Sequence, residues 1–197
     1  MEGYAANLAA LCIAGILGIA PRFELGRFLF KKHIKLLFLA AVIIIFSLVG
    51  YVAARQYLFW LHDPLARFLL PPYQSLNYFV LYALIRFFGS YLISLGLALL
   101  FLQAAKVINR RRGGLLFERE EPYLAAASIF LAGHPGWLIY SIFLLVTYLL
   151  LHLVFRLKGA KDIRLPLYRL WAPIAFFVIL LNMYWSSQTN WWQLLVI

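Results

Sequence analysis

Fifteen of the 18 basic residues in this chain fall in three clusters, and long apolar runs separate them. The clusters are Arg22, Arg27, Lys31, Lys32 and Lys35; Lys106, Arg110, Arg111, Arg112 and Arg119; and Arg156, Lys158, Lys161, Arg164 and Arg169. The remaining gaps between apolar runs are nearly free of Lys and Arg. This is the positive-inside pattern of a helical protein threaded repeatedly through a bilayer. It predicts an all-α, polytopic integral membrane protein, a single transmembrane domain with about six membrane segments and both termini non-cytoplasmic.

Composition supports lipid as the main solvent. Hydrophobic residues make up 65% of the chain, against about 45–50% apolar in a soluble domain. A core of 197 residues cannot hide that much apolar surface from water. The net charge of +11 would suit nucleic acid. Its division among short loops fits the anionic inner leaflet instead, so no nucleic-acid partner is expected. Arg110, Arg111 and Arg112 are candidates for lipid headgroup contact. The expected partners are the bilayer and a membrane protein or a second copy of the chain, and the expected location is a bacterial cytoplasmic membrane.

The N-terminus opens on Met1-Glu2-Gly3, acidic rather than basic, and Arg22 follows the first apolar stretch. That order argues against a cleavable signal peptide and for a retained span with its N-terminus outside. Cys12 is the only cysteine, so neither an intramolecular disulfide nor a multi-thiolate metal site can form. His33, His62, His134 and His152 lack the close pairing of a zinc site. No metal or other cofactor is expected.

The segments follow from length and breakers, at about 20 residues per crossing. Span one is Tyr4–Ala20, rich in small residues that let helices approach closely. Span two is Leu36–Ala54. Residues 55–75 mix aromatic and charged residues before Pro71-Pro72 and read as an outer interfacial segment, with Trp60 and Tyr73 at headgroup level. Span three, Leu76–Ala105, would measure about 45 Å, so it must tilt, kink near Gly89 or project beyond the membrane. A helix starts at the acidic run Glu118–Pro122. Its apolar part, Tyr123–Ala132, ends at Gly133-His134-Pro135-Gly136. Charge parity requires an even number of crossings between the second and third clusters. Tyr123–Ala132 is therefore read as one arm of a hairpin with Trp137–Phe155, a re-entrant element being the alternative. Leu170–Trp185 is the last span, with Pro173 in its first turn. All eight prolines then fall in loops or first turns. Trp60, Trp137, Trp185, Trp191 and Trp192 map to an outer aromatic belt and Trp171 to the inner one.

Chemistry has few candidates. Asp63-Pro64-Leu65-Ala66-Arg67-Phe68-Leu69-Leu70-Pro71 resembles the first aspartate region of prepilin peptidases, where Asp precedes a hydrophobic residue and Pro. The segment 114–126, with Glu120 before Tyr123-Leu124-Ala125-Ala126, is similar in placement to their second aspartate motif. The resemblance implies a membrane aspartyl protease with Asp63 and Glu120 as its two carboxylates. The Gly-X-Gly-Asp signature of that family is absent, and Glu120 stands where it has Asp. The threading also puts the two residues on opposite faces. Asp63 is therefore read as an outer turn and Glu120 as part of an acidic helix start.

Arg86 is the sharper candidate. Tyr82, Arg86, Ser90 and Ser94 recur every four residues and form the most polar helical stripe in any span. A charge inside a span is costly, so Arg86 is expected to face the protein with Ser90 and Ser94. His134 could serve as a ligand or turn residue, and His152 is expected to be satisfied by a neighbouring helix. No Ser-His-Asp order, phosphate loop or nucleophile elbow appears. The leading expectation is a non-catalytic subunit or accessory protein of a membrane complex. The alternatives are a membrane-embedded enzyme acting on lipid or peptide through Arg86, Asp63 and Glu118–Glu121, and a small transporter. The last is disfavoured because no inverted repeat is visible.

Overall fold

The computed structural model describes residues 4–19, 24–114, 116–158 and 168–185. Seven α-helices occupy these residues, and no strand is present among them. They are α1 (Tyr4–Ile19), α2 (Glu24–His62), α3 (Leu76–Ala83), α4 (Gly89–Arg111), α5 (Glu121–Ala132), α6 (Gly136–Leu157) and α7 (Tyr168–Trp185). A 3-10 turn spans Ala66–Leu69, and a π-helical turn, Leu84–Phe88, joins α3 to α4 without a break. Three helical stretches are long and apolar enough to cross a membrane: 32–62, 76–111 and 136–157. The apolar parts of α1, α5 and α7 are shorter.

The centre of the bundle is α5. Of its 12 residues, only Tyr123 is not buried. Its run Ala125-Ala126-Ala127-Ser128 carries almost no side-chain bulk on any side, so the backbones of α1, α2, α4, α6 and α7 can close around it. Sequence reading gave this helix the right length but no special place. Acidic residues and Pro122 set its start, and Gly133 sets its end.

Close packing between α1 and α7 completes the core. Ala6, Ala10, Ala14 and Leu17 bury one stripe of α1. A Cβ on Gly15 would meet the Phe176 ring at 3.6 Å, and one on Gly18 would meet Ala172 Cβ at 3.7 Å. The small residues of the first span therefore do bring two helices together. Large residues on the outside of α2 and α6 stay exposed, among them Leu39, Ile43, Leu145, Leu149 and Leu153.

Two basic clusters meet at one end of the bundle. Lys35 of α2 and Lys106 of α4 lie over the same ring, that of Tyr123, at 5.8 and 4.5 Å from its centroid. Arg156 and Lys158 close α6 and are exposed. The segment 159–167, with Lys161 and Arg164, lies outside the described residues, as do Arg22 and the tail with Trp191 and Trp192.

Several sequence expectations are corrected. The helix that holds span two does not end at Ala54. The helix runs on to His62, because no Gly or Pro interrupts 55–62, and its one irregularity is a kink at His33. Trp60 is buried against protein, its ring 5.4 Å from Phe79 and 4.8 Å from Tyr82. These rings, with Ala53, Leu70 and Ala83, form a second small core under the 55–75 segment. Trp171 is buried, its ring 5.9 Å from that of Phe101. Pro173 sits in the second turn of α7, not the first. His152 is exposed and stacks on Tyr148 of its own helix.

Candidate functional site

The basic end is built by a loop folded back on itself. α4 closes with the paired hydrogen bonds of a Schellman motif. The N–H of Gly114 donates to the Asn109 carbonyl at 2.8 Å and that of Gly113 to the Arg110 carbonyl at 3.3 Å. Both glycines have positive φ, 65° and 79°, which that motif needs at its first and here takes at its second position. Asn109 then clamps the far side of the loop. Its amide Nδ2 donates to the Phe117 carbonyl at 2.9 Å, and its Oδ1 accepts from the N–H groups of Leu116 and Phe117. Next, Glu121 Oε2 accepts from the N–H of Glu118 at 3.1 Å, tying the loop to the first turn of α5. Glu120 and Glu121 are buried while Glu118 and Arg119 are exposed.

This loop encloses an open cleft of about 540 Å³ lined by Lys106, Asn109, Arg110, Glu118, Arg119 and Pro122. Its cations come from two elements, the last turns of α4 and the entry to α5. Lys106 is held over the Tyr123 face, a contact that positions an ammonium without neutralising it. Arg110 and Arg119 are exposed in its lining. Arg111 and Arg112 are exposed beside the cleft but do not line it. Sequence reading grouped Arg110–Arg112 and missed Asn109 and Arg119. The one signal for Asn109 is a side-chain donor and acceptor placed just before Gly113-Gly114.

At the other end of α5 the chain turns through Gly133–Gly136. Ser90 of α4 serves this turn twice. Its hydroxyl donates to the His134 carbonyl at 2.7 Å and accepts from the His134 N–H at 3.0 Å. The Trp137 indole N–H donates to His134 Nδ1 at 3.1 Å. A neutral imidazole that accepts at Nδ1 carries its proton on Nε2. Ser94 is fully buried and donates to the Ser90 carbonyl, and the Tyr91 hydroxyl donates to Asn7 Oδ1 of α1 at 3.0 Å. Ser90 and His134, singled out separately in the sequence, are thus partners in one structural junction.

Arg86 does not join them. It is exposed, on a face shared with exposed Leu81, Leu84 and Ile85. The cause is the π-helical turn at Leu84–Phe88, which contains Arg86. A π turn adds one residue to a helical turn, so residues before it rotate by about 100° relative to those after it. The four-residue stripe assumed uninterrupted α-helix. Ser90 and Ser94, past the turn, face the protein; Arg86 does not.

Asp63 is a turn residue. Its Oδ1 accepts from the N–H groups of Leu65 and Ala66, both at 2.8 Å, which starts the 3-10 turn and holds its carboxyl below the usual carboxylate range. Glu120 lies next to Tyr123, at the level of Lys35. From Lys35 to His62 is 27 residues of helix, about 40 Å. The two carboxylates sit at opposite ends of the bundle and cannot share a proton. No group of three metal-ligating side chains occurs among the described residues. Comparison with protein families, with characterised proteins and with solved structures yields no match.

Proposed function

We propose that this chain is a six-crossing membrane protein, with both termini on the outer face of a bacterial cytoplasmic membrane, and that it acts as a non-catalytic accessory subunit of a membrane complex. It docks its partner through the tip formed by the end of α2, the 3-10 turn and α3. The observation that carries this reading is a register. Lys35 and Lys106 share the Tyr123 ring, so α2 and α4 leave the basic end at one level. Twenty residues along each helix, about 30 Å or one hydrocarbon thickness, stand Arg55 and Arg86, both exposed. These arginines mark the outer boundary, where a guanidinium reaches phosphate and water without cost. The hairpin of α5 and α6 turns one helical turn inside that level, at Ser90.

Everything between Arg55 and Arg86 then projects beyond the bilayer. That tip has its own small core but leaves Leu58, Phe59, Leu65, Phe68, Leu76 and Leu81 exposed, Leu65 at 82%. An apolar patch of this kind in water marks an interaction surface.

Two measurements test the reading. In a Cys12→Ala background, Ser75→Cys should react with a membrane-impermeant thiol reagent in intact cells and Arg112→Cys should not. The reverse pattern overturns the threading. On native gels of gently solubilised membranes, the wild-type chain should migrate in a larger assembly, and Phe59→Asp with Leu65→Asp should release it at unchanged protein level. A wild-type chain that migrates alone, or a variant that stays assembled, removes the docking role.

A further inference from the structure

We infer that the cleft at the basic end is a binding site for one anionic phosphodiester headgroup. Three cations line it, Lys106, Arg110 and Arg119, against one exposed carboxylate, Glu118. Arg110 and Arg119 are exposed in its lining, so their N–H donors are open to an acceptor that enters the cleft. A guanidinium presents parallel N–H groups that fit two phosphate oxygens at once. Lys106 of α4, fixed over Tyr123, adds a point charge to the same lining.

The walls are fixed before any ligand arrives. The Schellman closure sets the position of Arg110, the Asn109 clamp sets the return of the loop, and the Glu121 bond to Glu118 N–H sets the entry to α5. Arg119 stands between the last two. An ordinary topology signal needs only charge in a loop and no such construction. Beside the cleft, Leu116 is exposed and Pro122 forms an apolar side wall. A headgroup whose acyl chains continue into the bilayer matches that mixed lining. A free phosphate shares the polar chemistry but not the apolar flank.

The chain itself supplies the control. Arg111 and Arg112 lie in the same loop and are exposed, yet outside the cleft. The full chain, purified in detergent, is titrated with phosphatidylglycerol and lipid retention is read by native mass spectrometry. One lipid per chain is expected. Arg110→Gln with Arg119→Gln should weaken retention by roughly tenfold or more, the loss of one to two charge-assisted contacts. Arg111→Gln with Arg112→Gln, which removes the same charge, should change it by less than about twofold. Equal losses in the two pairs, or undiminished retention in the first, overturn the site. A third arm separates the sources: inorganic phosphate at millimolar concentration should not displace the lipid. Displacement at equal concentration reassigns the occupant to free phosphate and overturns the lipid part of the inference. Both pairs are exposed, and matching thermal melts verify that all variants are folded. The titration is independent of the tip, so its failure leaves the docking test standing.

Discussion

Gly133→Ala should destabilise the folded protein by about 1–3 kcal/mol, read as a lower melting temperature in detergent. The residue ends α5 at φ 67° and ψ 171°, a combination open in practice to glycine alone. Space is not the first obstacle for alanine. A Cβ there would sit 3.5 Å from Ser90 Oγ and 3.9 Å from the Tyr91 ring, ordinary contact distances. The cost is conformational, and the turn has no freedom to relax. Its next residue, His134, is held at both N–H and carbonyl by the Ser90 hydroxyl, and the Gly133 carbonyl accepts from the Trp137 N–H at 2.8 Å. Gly133→Val should cost more, because branching at Cβ drives into Ser90 and breaks the two bonds that Ser90 makes. Gly113→Ala is the comparison. It also has positive φ, but nothing lies within 4 Å of its Cβ position and the loop end can shift. It should lose about 1 kcal/mol or less. Equal effects at the two positions would mean that the Ser90 junction adds nothing to the rigidity of the turn.

The parts of this fold that were legible in the sequence are those written by breakers and by charge. The Pro and Gly residues around 133–136 and the acid-Pro pair at Glu121-Pro122 set the ends of α5 and α6 to within two residues. Charge clustering brought α2 and α4 to a common end, where Tyr123 now sits between Lys35 and Lys106. What stayed hidden has physical reasons. In a chain this apolar, buried and exposed positions carry the same residue types, so periodicity could not say that α5 is the buried axis. Its alanines were the available clue, since exposed positions on α2 and α6 hold Leu, Ile and Val. The aromatic run 57–62 reads as an interface because Trp and Tyr favour that depth; that Tyr57 and Trp60 also pack against Phe79 and Tyr82 is a tertiary contact that no local pattern announces. Arg86 was misplaced because a π turn leaves no mark in a four-residue spacing. In the basic loop the charges were visible and the clamp was not, since the bonds of Asn109 join residues seven and eight positions apart.

Ala126→Leu should have the largest effect of any single change in a described apolar residue. Ala125 and Ala126 are 0% exposed, at the middle of a helix surrounded by five others. In a soluble protein an oversized core side chain costs about 1–3 kcal/mol, occasionally more, through forced rotamers and backbone shifts. Here relaxation is harder. Each helix that moved away from Ala126 would lose contacts with its other neighbours, and in the bilayer proposed above those packing contacts, not water exclusion, hold the helices together. The prediction is a loss of at least about 3 kcal/mol, or failure to accumulate as a monodisperse species on fluorescence-detected size exclusion. Leu145→Ala, on the exposed face of α6 at 61%, removes as many carbons as the first change adds. It should stay within about 0.5 kcal/mol of wild type, because an acyl chain fills the space it leaves. The contrast separates a buried axis from a lipid-facing helix more sharply than either variant alone. A folded, heat-stable Ala126→Leu protein would mean that α5 has open space beside it. The central position of that helix, from which both the Ser90 junction and the basic cleft are hung, would then be wrong.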